Sequence, residues 1–156
     1  MTYVLYMVSP IGPLKITCDE QAILSIEHNE TGQNSSVLPS VLLQCKTQLE
    51  QYFAGERTQL DVPVSFKGTV FQQQVWHALQ QIPYGEVRSY KQIAEAIGNP
   101  KAVRAVGNAN NKNKIPFLVP CHRVVGANGA LVGYALGLEH KKYLLELEKK
   151  ALCNNE

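Results

Sequence analysis

The feature that most constrains this fold is a change of hydrophobic period near residue 67. Before it, apolar residues alternate in short runs. After it, they recur at helical spacing behind capping residues. Residues 2–8 read as a buried strand, Ser9-Pro10-Ile11-Gly12-Pro13 as a turn, and Leu14 to Cys18 and Ala22 to Glu27 as two more strands. Thr31 to Ser36 is a polar loop. Val41, Leu42, Cys45, Leu49, Tyr52 and Phe53 then fall at helical spacing, which predicts a helix over 40–54 closed by Gly55. Leu60 to Phe66, with Pro63 inside, reads as a short edge strand or a linker.

Beyond the boundary, Thr69 caps a predicted helix over 70–82, with Val70, Phe71, Val75, Trp76 and Leu79 on one side. Ser89 caps another over 90–97, stopped by Gly98-Asn99. Pro100 opens a third over about 100–110. Phe117 to Pro120 reads as extended. His122 to Val125 and Ala130 to Val132 flank Gly126-Ala127-Asn128-Gly129 as a hairpin, and a final helix covers about 138–150. A chain of 156 residues suits one compact domain or two small ones, and the change near residue 67 divides it into 1–66 and 67–156, of class α+β.

Charge divides at the same place. The net charge is only +2, yet residues 1–66 carry three basic and seven acidic groups, while residues 67–156 carry twelve and six. A basic half suggests a polyanionic partner, although charge asymmetry alone also arises by chance. Helices 90–97 and 100–110, joined by a glycine-containing turn, form a helix-turn-helix candidate. On the second, Val103 and Val106 face a core, whereas Lys101, Arg104 and Asn108 share an outer face. Ala102, Ala105 and Ala109 permit close approach to a surface, and Lys112, Lys114 and Arg123 add charge. This pattern fits phosphate binding, and it fits an ordinary helical hairpin with a solvated basic face equally well.

Other classes are excluded. There is no apolar run of about 18 residues for a membrane helix. The start Met1-Thr2-Tyr3-Val4 lacks a basic signal-peptide region, so a cytoplasmic protein is expected. Cys18, Cys45, Cys121 and Cys153 lie far apart and suit neither a disulfide framework nor a zinc site.

One segment carries chemistry. Cys121 ends the apolar run Ile115-Pro116-Phe117-Leu118-Val119-Pro120, so burial is expected. A buried cysteine is more often inert packing than a nucleophile. To react it needs a base and positive potential. His122 is adjacent, but neighbours in an extended segment point to opposite faces, which favours a relay through one water. Glu146 and Glu148 are candidate carboxylates to orient the imidazole. On these residues alone, a cysteine hydrolase, a redox thiol and core packing all fit.

The combination is more specific. Pro120-Cys121-His122-Arg123-Val124 resembles the active-site motif of the methylated-DNA–protein-cysteine methyltransferases, or O6-alkylguanine-DNA alkyltransferases. The similarity extends upstream through Tyr84-Gly85-Glu86-Val87, Ser89-Tyr90, Gly98-Asn99-Pro100, Ala102-Val103-Arg104-Ala105-Val106-Gly107 and Asn113. Downstream it runs through Gly129-Ala130, Gly133-Tyr134, Gly137-Leu138 and Lys141 to Leu145. It implies a ribonuclease H-like N-terminal sheet-plus-helix domain and a winged-helix-like helix-turn-helix domain. It also implies a single-use repair protein that flips O6-alkylguanine, and O4-alkylthymine in some members, out of duplex DNA and moves the alkyl group to Cys121.

By the same resemblance His122 would take the Cys121 proton, oriented by Glu148. Tyr90 would protonate the guanine and crowd its phosphate. Arg104 would enter the stack, and Lys101, Ala102, Ala105, Asn108 and Arg123 would meet DNA in the minor groove. Tyr134, Ala135 and Leu136 would wall the pocket with the backbone of Cys121 and Val124, and Asn113 would act as a hinge. No cofactor, no metal and no membrane is implied; a monomer is expected, with cooperative packing on DNA left open. Leu136 departs from the family, which usually has glycine there, and this bears on the alkyl size tolerated. The rival reading is a non-catalytic helix-turn-helix sensor of alkylated bases.

Overall fold

Strands β1 (Tyr3–Ser9) and β2 (Gly12–Cys18) form because alternating apolar side chains let one face bury Leu5, Met7, Leu14 and Ile16. Only Pro10 and Ile11 separate the Ser9–Gly12 pair, and Gly12 supplies φ +112° for this tight reversal. β3 (Ile23–His28) extends the sheet antiparallel in the order β1-β2-β3, with an irregular register where Cys18 meets Ile23. The computed structural model describes residues 1–154, with side chains through Leu152; Cys153 therefore lies outside the described side chains. Helix α1 (Ser40–Phe53) lays Val41, Leu42, Cys45, Leu49, Tyr52 and Phe53 on the core. Residues 60–66 form no strand. Pro63 has no N–H to continue a ladder, and only a parallel bridge between Ile23 and Val64 forms.

The chain divides into two compact units, Met1–Phe66 and Lys67–Glu156. In the second, α2 (Val70–Gln80) and α3 (Tyr90–Ala96) each begin with a capping box, Thr69 with Gln72 and Ser89 with Gln92. α4 (Val103–Asn111) begins three residues later than the Pro100 signal predicts. The Ala102 N–H bonds Asn99 O at 3.0 Å, so residues 99–102 form a turn first. Trp76 Nε1 donates to Ala109 O at 2.9 Å and fastens α2 to α4. Val103, expected in the core, is 39% exposed on the first turn of α4, while Val106 is buried.

Two further expectations fail. Residues 117–120 are not extended. The Leu118 and Val119 N–H groups bond Pro116 O and Ile115 O, and Phe117 takes φ +73°, a conformation costly for a bulky residue. The hairpin across 126–129 does not form either. Cys121–Arg123 is a single 3-10 turn, and β5 (Val124–Val125) pairs in parallel with β4 (Arg88–Ser89). A second 3-10 turn, Ala127–Gly129, is closed by the Gly126 N–H on Ala130 O at 2.8 Å. α5 (Leu138–Asn154) completes the unit. No described helix is long and apolar enough to cross a membrane.

Candidate active site

Cys121 sits at the mouth of the 3-10 turn, 3% exposed, after a segment in which residues 115–120 are all buried. Burial pushes its thiol up to about 11, against a hydrogen bond from the Asn113 side chain and the charge of Lys141, which pull it down. Asn113 is held for this. Its Nδ2 donates to Val119 O at 2.8 Å, and its Oδ1 accepts from the Ile115 N–H at 3.0 Å. One side chain thus joins the end of α4, the buried segment and the thiol.

His122 is fully buried in the same turn, so the expected strand-like opposition of Cys121 and His122 is replaced by a helical turn. Its Nε2 lies 2.6 Å from Glu148 Oε2. An ionised carboxylate only accepts, so Nε2 carries the hydrogen and Nδ1 is the acceptor of a neutral ring. Burial holds the imidazole below its usual value, against the Glu148 carboxylate, and so keeps it neutral. Glu148 is the carboxylate of the site; Glu146, the other candidate, is exposed.

Glu148 is fully buried on α5 and accepts from three groups besides His122. The Gly85 N–H reaches Oε1 at 3.0 Å, Arg123 Nε reaches Oε1 at 2.9 Å and Arg123 Nη2 reaches Oε2 at 3.1 Å. Burial alone would raise this acid, but the hydrogen bond from His122 and the bonds and charge of Arg123 win and hold it at about 2. Gly85 allows the approach. It takes φ +81°, and a Cβ there would collide with Leu152.

Arg123 is therefore not a DNA contact, contrary to its reading as one. It is 8% exposed, its Nη1 donates to Ile82 O at 2.8 Å, and its guanidinium lies over the Tyr84 ring. Burying an arginine demands a partner carboxylate, and Glu148, 25 positions away, supplies it.

The sequence reading placed Lys141 within the family resemblance but gave it no role in the site. It is fully buried, and its Nζ donates to Val132 O at 3.0 Å and Gly133 O at 3.1 Å. Burial lowers it to about 8, while the Cys121 thiolate would favour its charge. A lysine at one position of an amphipathic helix carries no local signal of this; only its position among apolar neighbours on α5 hints at burial.

Tyr90 opens α3 and turns its hydroxyl toward the same loop, donating to Val132 O at 2.9 Å. Gly133, at φ +63°, leaves room for it: a Cβ there would lie 3.1 Å from that hydroxyl. Burial and the nearby Cys121 raise the Tyr90 hydroxyl above its usual value. Tyr134 is buried and Val124 fully so, Leu136 is half-buried, and Ala135 is exposed. Lys101, Arg104, Ala105 and Asn108 are exposed along α4 and the turn before it, with Ala102 half-exposed. The structure thus brings Cys121, His122, Glu148, Tyr90, Asn113 and Tyr134 to one unit and leaves the α4 residues on its surface. Among the described residues, no group of three metal-ligating side chains is close enough to hold an ion.

Comparison with known proteins gives a consistent result. The family model of the 6-O-methylguanine DNA methyltransferase ribonuclease-like domain matches residues 1–66, and that of the same family's DNA binding domain matches residues 70–150. The methylated-DNA--protein-cysteine methyltransferase of Methanosarcina acetivorans is 49% identical over 146 residues, covering 90% of this chain and 94% of its own. The constitutive methylated-DNA--protein-cysteine methyltransferase of Bacillus subtilis is 48% identical over 159 residues, covering 96% of each. The crystal structure of Mycobacterium tuberculosis OGT in complex with DNA matches at TM-score 0.86 and 47% identity, covering 94% of this chain and 92% of that one.

Proposed function

The chain belongs to the methylated-DNA–protein-cysteine methyltransferase family, and on that premise we propose that it repairs alkylated duplex DNA by transfer to its own Cys121. The observation that carries this reading is the burial in one unit of two pairs from adjacent residues, Asn113 with Cys121 and Glu148 with His122. An O-alkyl carbon is a soft electrophile and sulfur a strong nucleophile. The Cys121 proton passes to His122, through one water in the family's scheme, and Sγ bonds the alkyl carbon as the carbon–O6 bond breaks. The electron pair of that bond stays with the guanine, which takes a proton from the Tyr90 hydroxyl. The products are an S-alkyl cysteine and an ordinary guanine, and the proton gained by His122 returns through solvent to the Tyr90 oxygen, so atoms and charge balance.

Each partner has a defined part. Glu148 keeps the His122 ring oriented and stabilises it once protonated. Lys141 supplies positive potential as the thiolate develops and holds the carbonyls of Val132 and Gly133. Arg123 balances the charge of Glu148 while Oε2 still accepts from His122. Arg104, exposed on α4, fills the gap left by the flipped base, and Lys101, Ala102, Ala105 and Asn108 lie against the duplex. Tyr134, Ala135 and Leu136 bound the base pocket, and the Cys121 and Val124 backbone contacts the guanine edge. The protein acts in the cytoplasm, where Cys18, Cys45 and Cys121 remain free thiols.

A sensor that binds lesions without repairing them needs no such proton path, and Cys121 with its partners argues against it. Incubation with duplex DNA containing O6-methylguanine tests the choice. The protein gains one methyl group at Cys121 and the DNA regains guanine. Tight binding with unchanged protein mass would support the sensor instead.

A further inference from the structure

α4 buries an amide that the fold leaves unpaired. Asn110 is 2% exposed, and neither its Oδ1 nor its Nδ2 has a hydrogen-bond partner among the described residues. Buried amides are nearly always paired, so one that is not asks for an explanation. The Tyr134 hydroxyl is buried and unpartnered too.

The helix face locates the amide. Gly107 packs on the Tyr90 ring, where a Cβ would lie 3.8 Å from it. Asn113, six residues on, bonds the Cys121 side chain. Residues 107, 110 and 113 follow at three-residue steps along one side of α4 and its C-terminal turn. Along α4 and the cap that ends it, Asn110 therefore lies between Gly107, which meets the Tyr90 ring, and Asn113, which bonds the reactive thiol. Its neighbour Asn111 approaches the same loop, with its amide 3.7 Å from where a Gly133 Cβ would be.

We propose that Asn110 is a base-reading residue of this site, its Nδ2 donating to N3 or N7 of the purine inserted beside Cys121. The proposal rests on the reading of Cys121 as alkyl acceptor. The chemistry of the lesion fits it. The ring of the modified purine offers N3 and N7 as acceptors that carry no hydrogen. A buried donor rewards such an edge and penalises a base that lacks the matching nitrogen, because the donor then stays unpaired. The cost in the free protein is an unsatisfied amide, which destabilises the fold until a base completes the pair.

The test compares wild type with Asn110→Leu and Asn110→Met on three duplexes, carrying O6-methylguanine, its 3-deaza analogue or its 7-deaza analogue. Transfer is followed as methyl gain on Cys121, and thermal stability is measured on the free proteins. Both variants are expected to react about tenfold more slowly with O6-methylguanine, the value of one buried hydrogen bond at about 1.4 kcal/mol per tenfold. That penalty should vanish on one of the two deaza analogues. Both should melt no lower than wild type, since an unpaired amide has been removed. An unchanged rate on O6-methylguanine, an equal penalty on all three duplexes, or variants that melt markedly lower or fail to fold would overturn the proposal. Absence of methyl transfer by wild type would instead overturn the Cys121 reading beneath it.

Discussion

The two units bury very different side chains. In residues 1–66 the core is apolar apart from Gln48, whose amide is fully engaged with Asp61. In residues 67–156 the buried set includes Asn110, Asn113, His122, Arg123, Lys141 and Glu148. Burying an ionisable group costs free energy unless it is paired, and a hydrophobic replacement is often at least as stable. A fold that concentrates such groups in one unit, around one cysteine, has accepted that cost for chemistry. The first unit spends its interior on packing alone.

The largest expected effect comes from breaking the second unit's network. Glu148→Ala strands Arg123 and frees His122, so it should destabilise that unit by about 3–5 kcal/mol and abolish transfer. Chemical denaturation and a transfer assay check both. The same network makes stability sensitive to acid. Glu148 is held at about 2 in the folded protein against 4.5 ordinarily, so the unfolded chain binds its proton first. Its stabilising contribution is complete above about 4.5 and disappears as the pH falls toward about 2. His122, kept below 6.5 by burial, adds to the loss once the pH drops under that value. Denaturation midpoints measured across this range should fall steadily, and Glu148→Gln should flatten the lower part of the curve.

The next effect sharpens the boundary of the pocket. Leu136 is half-buried in the loop between Tyr134 and α5. If its side chain fills part of the pocket, relieving the overlap is worth about 1–3 kcal/mol. Leu136→Gly should then accelerate reaction with O6-benzylguanine by roughly 5- to 150-fold and leave O6-methylguanine nearly unchanged. An unchanged ratio of the two rates would assign Leu136 to packing against the protein.

A smaller effect separates surface from interior within the second unit. Arg104 is exposed and its removal leaves no charge stranded. Arg104→Ala should slow repair of duplex DNA by about tenfold, a loss of about 1.4 kcal/mol, with free alkylated base reacting as before. Equal losses on both would contradict the role in base extrusion proposed for it. The smallest effect belongs to the first unit. Lys46 and Glu50 form an exposed ion pair on α1 at 3.1 Å. Lys46→Ala should change stability by under about 1 kcal/mol and leave transfer untouched, as measured by the same two assays.

The sequence was most legible where signals are local. Thr69 and Ser89, read as caps, set α2 and α3 to within two residues at each end, and the structure adds Gln72 and Gln92 to complete each cap. Strand alternation found β1 to β3, and the structure pairs His122 with Glu148 at 2.6 Å. It failed where tertiary partners decide. Pro100 is compatible with a helix start, yet a turn at 99–102 precedes α4. Nothing in Phe117 signals its left-handed backbone. The glycine-rich stretch 126–129 looks like a hairpin turn, but β5 finds a partner 36 positions upstream in β4. Arg123 reads as one more basic group until Glu148 is seen to claim it, and Lys141 reveals itself only through the loop carbonyls it holds.

Stoichiometry tests the central claim most directly. Increasing amounts of duplex containing O6-methylguanine are added to a fixed amount of protein, and methyl transfer to Cys121 is counted by peptide mass. The thioether has no route back to thiol in this chain, so transfer should plateau at one methyl group per protein molecule. Cys121→Ala should bind the same DNA and transfer none, because the thiol adds little to phosphate contacts. Transfer beyond one equivalent, or transfer surviving in Cys121→Ala, would contradict the account.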